Sequence, residues 1–162
     1  MDDSGVHTIS SSTIVVIPAY NEGTILNTIV YSLLNKKYKV IVVDDGSKPS
    51  LKEQLQTSSI YYLRHKTNLG QGAALQTGFD FALSLRPKYI VSFDADGQHD
   101  INDIEALLEP LQKEEADITL GSRFLSHNPS QIPLSKKFVL YLARVINFLF
   151  TGMLLSDAHN GL

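Results

Sequence analysis

The chain has 162 residues, of which 43% are apolar and 19% charged, and a net charge of −3. That is enough for a domain with its own core, and the acidic balance argues against a general nucleic-acid binder, which carries a basic face. There is no cysteine, so disulfides, thiolate metal sites and cysteine nucleophiles are excluded.

Residues 1–11 are polar, lack the apolar run of a signal peptide and read as a flexible tail. Thr13-Ile-Val-Val-Ile17 is a β-branched run that predicts a first strand, stopped by Pro18. From 22 to 34, Ile25, Leu26, Ile29, Val30, Leu33 and Leu34 recur at helical spacing with one buried face. A second strand at 39–43 ends in Asp44-Asp45-Gly46-Ser47, a turn with Gly46 at positive φ. A short helix is expected near 51–56 and a third strand at 60–63. A helix over 71–85 is closed by Arg86-Pro87. The fourth strand, 89–93, runs directly into Asp94-Ala95-Asp96-Gly97-Gln98. Asp100 is placed to cap a helix reaching about Lys113, and 117–120 predicts a fifth strand. Pro129 and Pro133 mark a loop before a last helix over about 135–153.

Apolar strands alternating with helices define an α/β fold, a mostly parallel sheet with helices on both faces. Composition changes after about residue 125, which divides a binding domain at 12–125 from a following region at 126–162. No segment reaches the ~18 uninterrupted apolar residues of a membrane-spanning helix.

Ligands of such sheets bind outside the carboxyl ends of the strands. Three polar clusters fall there: Pro18-Ala19-Tyr20-Asn21-Glu22, Asp44-Asp45-Gly46-Ser47 and Asp94-Ala95-Asp96-Gly97-Gln98. Their five carboxylates would repel one another unless a divalent cation or ligand donors compensated them. Asp94 and Asp96, two apart in an extended segment, project to one side. Their hard oxygens suit Mg²⁺ or Mn²⁺, which would neutralise a departing diphosphate; an aspartate-capped turn is the plainer alternative. Asp44 and Asp45 can accept from a base N–H or from ribose hydroxyls, or simply shape the turn. Asn68-Leu69-Gly70-Gln71-Gly72 opens a helix, as a cap or as a close approach for ligand. The five histidines show no shared metal-ligand spacing and read as surface or loop residues, with His99 beside the aspartate pair.

Val-Ile-Pro-Ala-Tyr-Asn-Glu (16–22), Val-Val-Asp-Asp-Gly-Ser (42–47), Asn-Leu-Gly-Gln-Gly-Ala-Ala (68–74), Asp-Ala-Asp-Gly-Gln-His (94–99) and Gly-Ser-Arg-Phe (121–124) occur in this order. Together they resemble glycosyltransferase family 2, with its GT-A, Rossmann-like fold, and most closely the branch of polyprenol- and dolichol-phosphate sugar synthases. The resemblance implies an inverting, metal-dependent transfer from a UDP- or GDP-sugar to a lipid phosphate. It implies that Pro18, Ala19, Tyr20, Glu22, Asp44, Asp45, Gly70 and Asp94 form the nucleotide site, with Asp44 at the base. Asp94, Asp96 and Gln98 match the metal positions, and Asp96 and Arg123 would be the catalytic residues, Arg123 meeting phosphate. A lipid phosphate is already anionic near neutral pH and needs no general base, since its second pKa is ~6. A sugar-hydroxyl acceptor, or a non-catalytic nucleotide-sugar-binding module, are the competing expectations.

The last helix sets Phe138, Val139, Leu142, Val145, Ile146, Phe148, Leu149 and Phe150 against a narrow polar stripe that includes Lys136, Lys137, Arg144 and Asn147. Such a helix suits a membrane interface or a protein surface equally. A cytoplasmic protein, at the cytoplasmic face of a membrane, is the expected location. Residues 156–162 match the start of a family motif that continues through an arginine, so the chain is expected to be a fragment lacking acceptor-side segments.

Overall fold

The protein is described by a computed structural model covering residues 10–55, 57, 59–95 and 99–121. The chain forms two compact units, Met1–Leu108 and Glu109–Leu162. The first contains a four-stranded sheet: β1 (Thr13–Ala19), β2 (Lys39–Asp44), β3 (Tyr61–Arg64) and β4 (Tyr89–Ser92), in the order β3-β2-β1-β4. Every pairing is parallel. Helix α1 (Thr24–Asn35) joins β1 to β2 and α2 (Gln71–Ser84) joins β3 to β4, while α3 (Asp103–Gln112) follows β4.

The order dictates where the helices lie. The chain steps outward from β1 to β2 to β3, then crosses back over the sheet to β4. Right-handed crossovers of opposite direction put α1 and α2 on opposite faces. On the α2 face, Ile14 and Val16 of β1 and Ile41 and Val43 of β2 cluster with Ala74 and Ala82. The alternate residues Val15, Ile17, Val40 and Val42 are equally buried, as are Leu26, Ile29, Val30 and Leu33 of α1. Both faces are therefore covered, which is why the two central strands are apolar at consecutive positions rather than alternating.

Helix α2 approaches the sheet closely because Gly78 faces it. A Cβ at Gly78 would collide with the Val16 side chain and crowd Val43 at 3.2 Å. Gly78→Ala is expected to destabilise the protein by about 1–3 kcal/mol through overpacking, measured as a lower urea midpoint at an unchanged m value.

Pro18 does not end β1, contrary to the sequence expectation; the strand runs through it to Ala19. Parallel ladders explain this. Val16 accepts from Phe93 N–H on the β4 side, and Ala19 accepts from Asp45 N–H on the β2 side. By alternation Pro18 faces β4, whose pairing with β1 has ended at Val16↔Ser92. A missing N–H there forfeits no ladder bond, and the two strands part at that level.

Two further expectations differ. The helix near 51–56 is a single 3-10 turn, Leu51–Glu53. Residues 117–120 are not a strand: Ile118 and Leu120 are 77% and 57% exposed, and neither pairs with the sheet. Alternating apolar residues need a neighbouring edge and a covering layer to become a strand. The loop at 122–134 and the helix at 135–153 lie outside the described residues.

Candidate functional site

The strand order reverses between β1 and β4, and a cleft of about 410 Å³ opens beyond their carboxyl ends. Pro18, Ala19, Tyr20 and Glu22 come from the end of β1, Asp45 from the end of β2, and Asp94 and Ala95 from the end of β4. Asn68, Gln71 and Ala74 complete the lining from the start of α2. This is the topological switch point, where parallel α/β sheets hold their ligands because neighbouring loops diverge there.

The two consecutive aspartates divide their tasks. Asp44 is fully buried and outside the cleft lining. Its Oδ1 accepts from Ser47 N–H at 2.8 Å; its Oδ2 accepts from Leu51 N–H at 3.2 Å and from the Tyr62 hydroxyl. Arg64 Nε lies 3.3 Å from Oδ2. Burial opposes ionisation of Asp44, but the bonds from Ser47, Tyr62 and Leu51 outweigh it and hold its carboxyl below the usual range. The same contact, with burial, raises the Tyr62 phenol. Asp44 thus lies away from the cleft where the resemblance put it beside a base, and Asp45 faces it instead.

Asp45 Oδ1 accepts from Leu69 N–H at 2.9 Å and lies 2.7 Å from His65 Nδ1. Its Oδ2 accepts from Gly70 N–H at 2.7 Å. Burial opposes its ionisation too, and the Leu69, His65 and Gly70 bonds together depress its carboxyl. The cleft wall at 68–70 therefore hangs on Asp45. Gly70 takes φ +94° as the residue before α2, a conformation only glycine adopts freely. Gly46, at φ +80°, packs its α-carbon against the Thr67–Asn68 backbone, where a Cβ would clash. The turn also supports the first cluster: Asn21 N–H donates to Ser47 Oγ at 2.9 Å and Lys48 N–H donates to Asn21 Oδ1 at 3.0 Å.

Asp94 lines the opposite wall. Its Oδ1 accepts from Gln71 Nε2 at 2.9 Å, and its Oδ2 stands 4.0 Å from His99 Nε2. His99 stacks edge-on against Phe93. Asp96, Gln98 and Arg123 lie outside the described residues. Among the described residues no three acidic or histidine side chains are grouped as a metal cage, and no helix is long and apolar enough to cross a membrane.

The structure thus brings Pro18, Ala19, Tyr20, Glu22, Asp45 and Asp94 into one cleft, borders it with Gly70 and leaves Asp44 behind it. Sequence reasoning missed Arg64, His65 and Gln71. The repulsion foreseen among the strand-end carboxylates is relieved at Asp44 and Asp45 by the protein itself. Register places Arg64 beside Asp44, so His65 falls beside Asp45. An Arg-His pair closing the neighbouring strand was the available signal.

A parallel α/β sheet with an acidic, glycine-bordered cleft at its switch point defines a Rossmann-like ligand-binding domain. The chain belongs to glycosyl transferase family 2, whose family model matches residues 14–154. An uncharacterised protein of Methanocaldococcus jannaschii is 37% identical over 91% of this chain and 62% of its own length. A UDP-N-acetylglucosamine–dolichyl-phosphate N-acetylglucosaminyltransferase of Methanococcus voltae is 32% identical over 91% of this chain and 66% of its own. A polyprenol monophosphomannose synthase of Mycolicibacterium smegmatis is 32% identical over 70% of this chain and 45% of its own. The last two names fall within the polyprenol-phosphate sugar synthase branch. The chain spans less than two thirds of the length of these relatives. No solved structure gives a significant match.

Proposed function

We propose that the protein binds a nucleotide-diphosphate sugar in the switch-point cleft and transfers the sugar, with inversion, to a polyprenyl phosphate. The observation that carries the reading is the convergence of Pro18, Ala19, Tyr20, Glu22, Asp45 and Asp94 on one cleft in a family 2 chain. Tyr20 and the Pro18-Ala19 edge offer apolar surface to a nucleoside, and Asp45 offers an acceptor to its N–H or hydroxyl groups. Relatives named for dolichyl phosphate and polyprenol support the lipid acceptor.

A divalent cation, Mg²⁺ or Mn²⁺, fits the opposite wall. Asp94 Oδ1 accepts from Gln71, while the other oxygen, Oδ2, stands 4.0 Å from His99 Nε2. A hard oxygen in an acidic cleft suits such an ion. Asp94, with Asp96 and Gln98 next along the chain, would hold it. When bound, the cation supplies charge neutralisation for the diphosphate.

The reaction breaks the bond between the anomeric carbon and the diphosphate oxygen, which leaves with the electron pair. An oxygen of the acceptor phosphate forms the new bond from the opposite side. The acceptor is already ionised near neutral pH, because a phosphate monoester has a second pKa of ~6. No side chain has to remove a proton. The protein's work is to orient the donor and stabilise the leaving charge, in which Arg123 takes part. A polyprenyl acceptor is confined to a bilayer, so the protein works at a membrane surface.

Calorimetric titration of UDP and GDP, with and without Mn²⁺, tests the donor half. Metal-dependent binding of one nucleotide is expected, and failure of both to bind refutes the reading. Radiolabelled sugar passing to polyprenyl phosphate is the expected transfer product; transfer only to sugar hydroxyls overturns the acceptor assignment.

A further inference from the structure

His65 ties together three elements around the cleft. It follows β3, its Nδ1 lies 2.7 Å from Asp45 Oδ1 at the end of β2, and its Nε2 lies 2.9 Å from Thr77 Oγ1 on α2. Its side chain is only 12% exposed. The proton inventory decides the role of Nδ1. An ionised carboxylate only accepts, so Nδ1 carries a hydrogen. At the other end of the ring Nε2 meets Thr77 Oγ1, which also reaches the Ala73 carbonyl at 2.9 Å, so the imidazole is held from both sides.

The same inventory shows what is left of Asp45. A carboxylate offers about four acceptor positions. Leu69 N–H and His65 occupy those of Oδ1, and Gly70 N–H occupies one on Oδ2. One position remains, on a side chain that lines the cleft. Arg64 does not compete for it, being engaged with Asp44 and with the Ser47 carbonyl at 2.8 Å.

We propose that His65 is a positioning residue of the nucleotide site: held between Thr77 and Asp45, it fixes the Asp45 carboxylate so that its one free acceptor meets the nucleoside. This deepens the nucleotide reading of the cleft and rests on it. His65 touches no substrate; it acts by denying Asp45 other orientations.

Two substitutions separate positioning from mere packing. In His65→Asn the side-chain amide takes the place of Nδ1 and can still donate to Asp45. In His65→Gln it takes the place of Nε2 and reaches Thr77 instead. Calorimetry with UDP and GDP in Mn²⁺ is run on the intact chain. His65→Gln is expected to weaken binding about tenfold, the worth of a hydrogen bond to a charged group, while His65→Asn recovers most of that loss. In an Asp45→Asn background, His65→Gln adds no further loss. Ligand-free ¹H–¹⁵N spectra of the His65 ring are expected to show a hydrogen-bonded proton on Nδ1. A ring with its proton on Nε2 alone, undiminished binding by His65→Gln, or equal losses in both variants that follow Tm would each overturn the inference. If the wild-type chain binds neither nucleotide, the nucleotide reading itself fails, a result distinguishable from selective survival of binding in the variants.

Discussion

Replacing Asp44 with alanine is expected to lower the unfolding free energy by about 3–5 kcal/mol, the range for breaking a buried charged network. Two buried donors lose their acceptor: the N–H groups of Ser47 and Leu51, both at most 1% exposed as residues. Each orphaned buried group costs about 1–3 kcal/mol. Tyr62 keeps Ser50 as a partner at 3.0 Å, and half-exposed Arg64 keeps the Ser47 carbonyl and water, so their losses are smaller. Against a typical total of about 5–15 kcal/mol, the damage is large and reads directly as a lower urea midpoint. It also reaches the cleft, because the freed turn is what holds Asn21 through Ser47 and Lys48. The pH dependence has a definite sign. Asp44 and Asp45 both have depressed carboxyls in the folded protein. Their contribution is fully present above the unfolded carboxylate value of ~3.9 and is lost as pH falls through the lower folded values. Wild-type stability should therefore fall steeply below about pH 4, and Asp44→Asn should flatten part of that fall. A change under about 1 kcal/mol in Asp44→Ala would fall outside the range for a buried charged network and remove Asp44 as organiser of the turn.

Much of the first unit was legible because its signals are local. The apolar runs of β1 and β2 and the spacing of Leu26, Ile29, Val30 and Leu33 need no knowledge of partners, and the structure buries all of them. Gly46 at positive φ followed from its place in Asp44-Asp45-Gly46-Ser47. What failed to read was set by tertiary context. Pro18 looks like a stop, yet it sits where the neighbouring strand has already left. Ile118 and Leu120 alternate like a strand but find no edge among the described residues. The division between Asp44 and Asp45 could not be read from two identical side chains; it depends on alternation at a strand end, which turns one inward and the next toward the cleft. In sequence His65 reads as a loop histidine, because its partners are 20 and 12 residues away in the chain.

Asp94→Ala is expected to change the metal dependence of nucleotide binding in a way that simple loss of fold would not. The cleft carries Glu22, Asp45 and Asp94 on its walls, and a nucleoside diphosphate adds further negative charge. Two like charges 4 Å apart at an effective dielectric constant near 20 repel by about 4 kcal/mol. Without a cation, then, removing Asp94 relieves repulsion, and metal-free affinity for UDP or GDP should hold or rise slightly. With Mn²⁺ the sign should reverse. On the proposed reading the variant lacks an oxygen that would hold the ion, and affinity should fall about 10- to 100-fold, the range for disturbing the groups that support a metal. The gap expected between the two conditions in the wild type should nearly close. Gln71→Ala supplies the contrast. It removes the amide that donates to Asp94 Oδ1 at 2.9 Å but leaves the carboxylate, so binding should weaken only several-fold, as for one hydrogen bond, with metal dependence intact. Calorimetry in chelator and in Mn²⁺ on both variants decides it. A wild-type-sized metal effect in Asp94→Ala would move the cation away from this carboxylate, and a loss equal in both conditions would assign Asp94 to the scaffold of the β4 end instead.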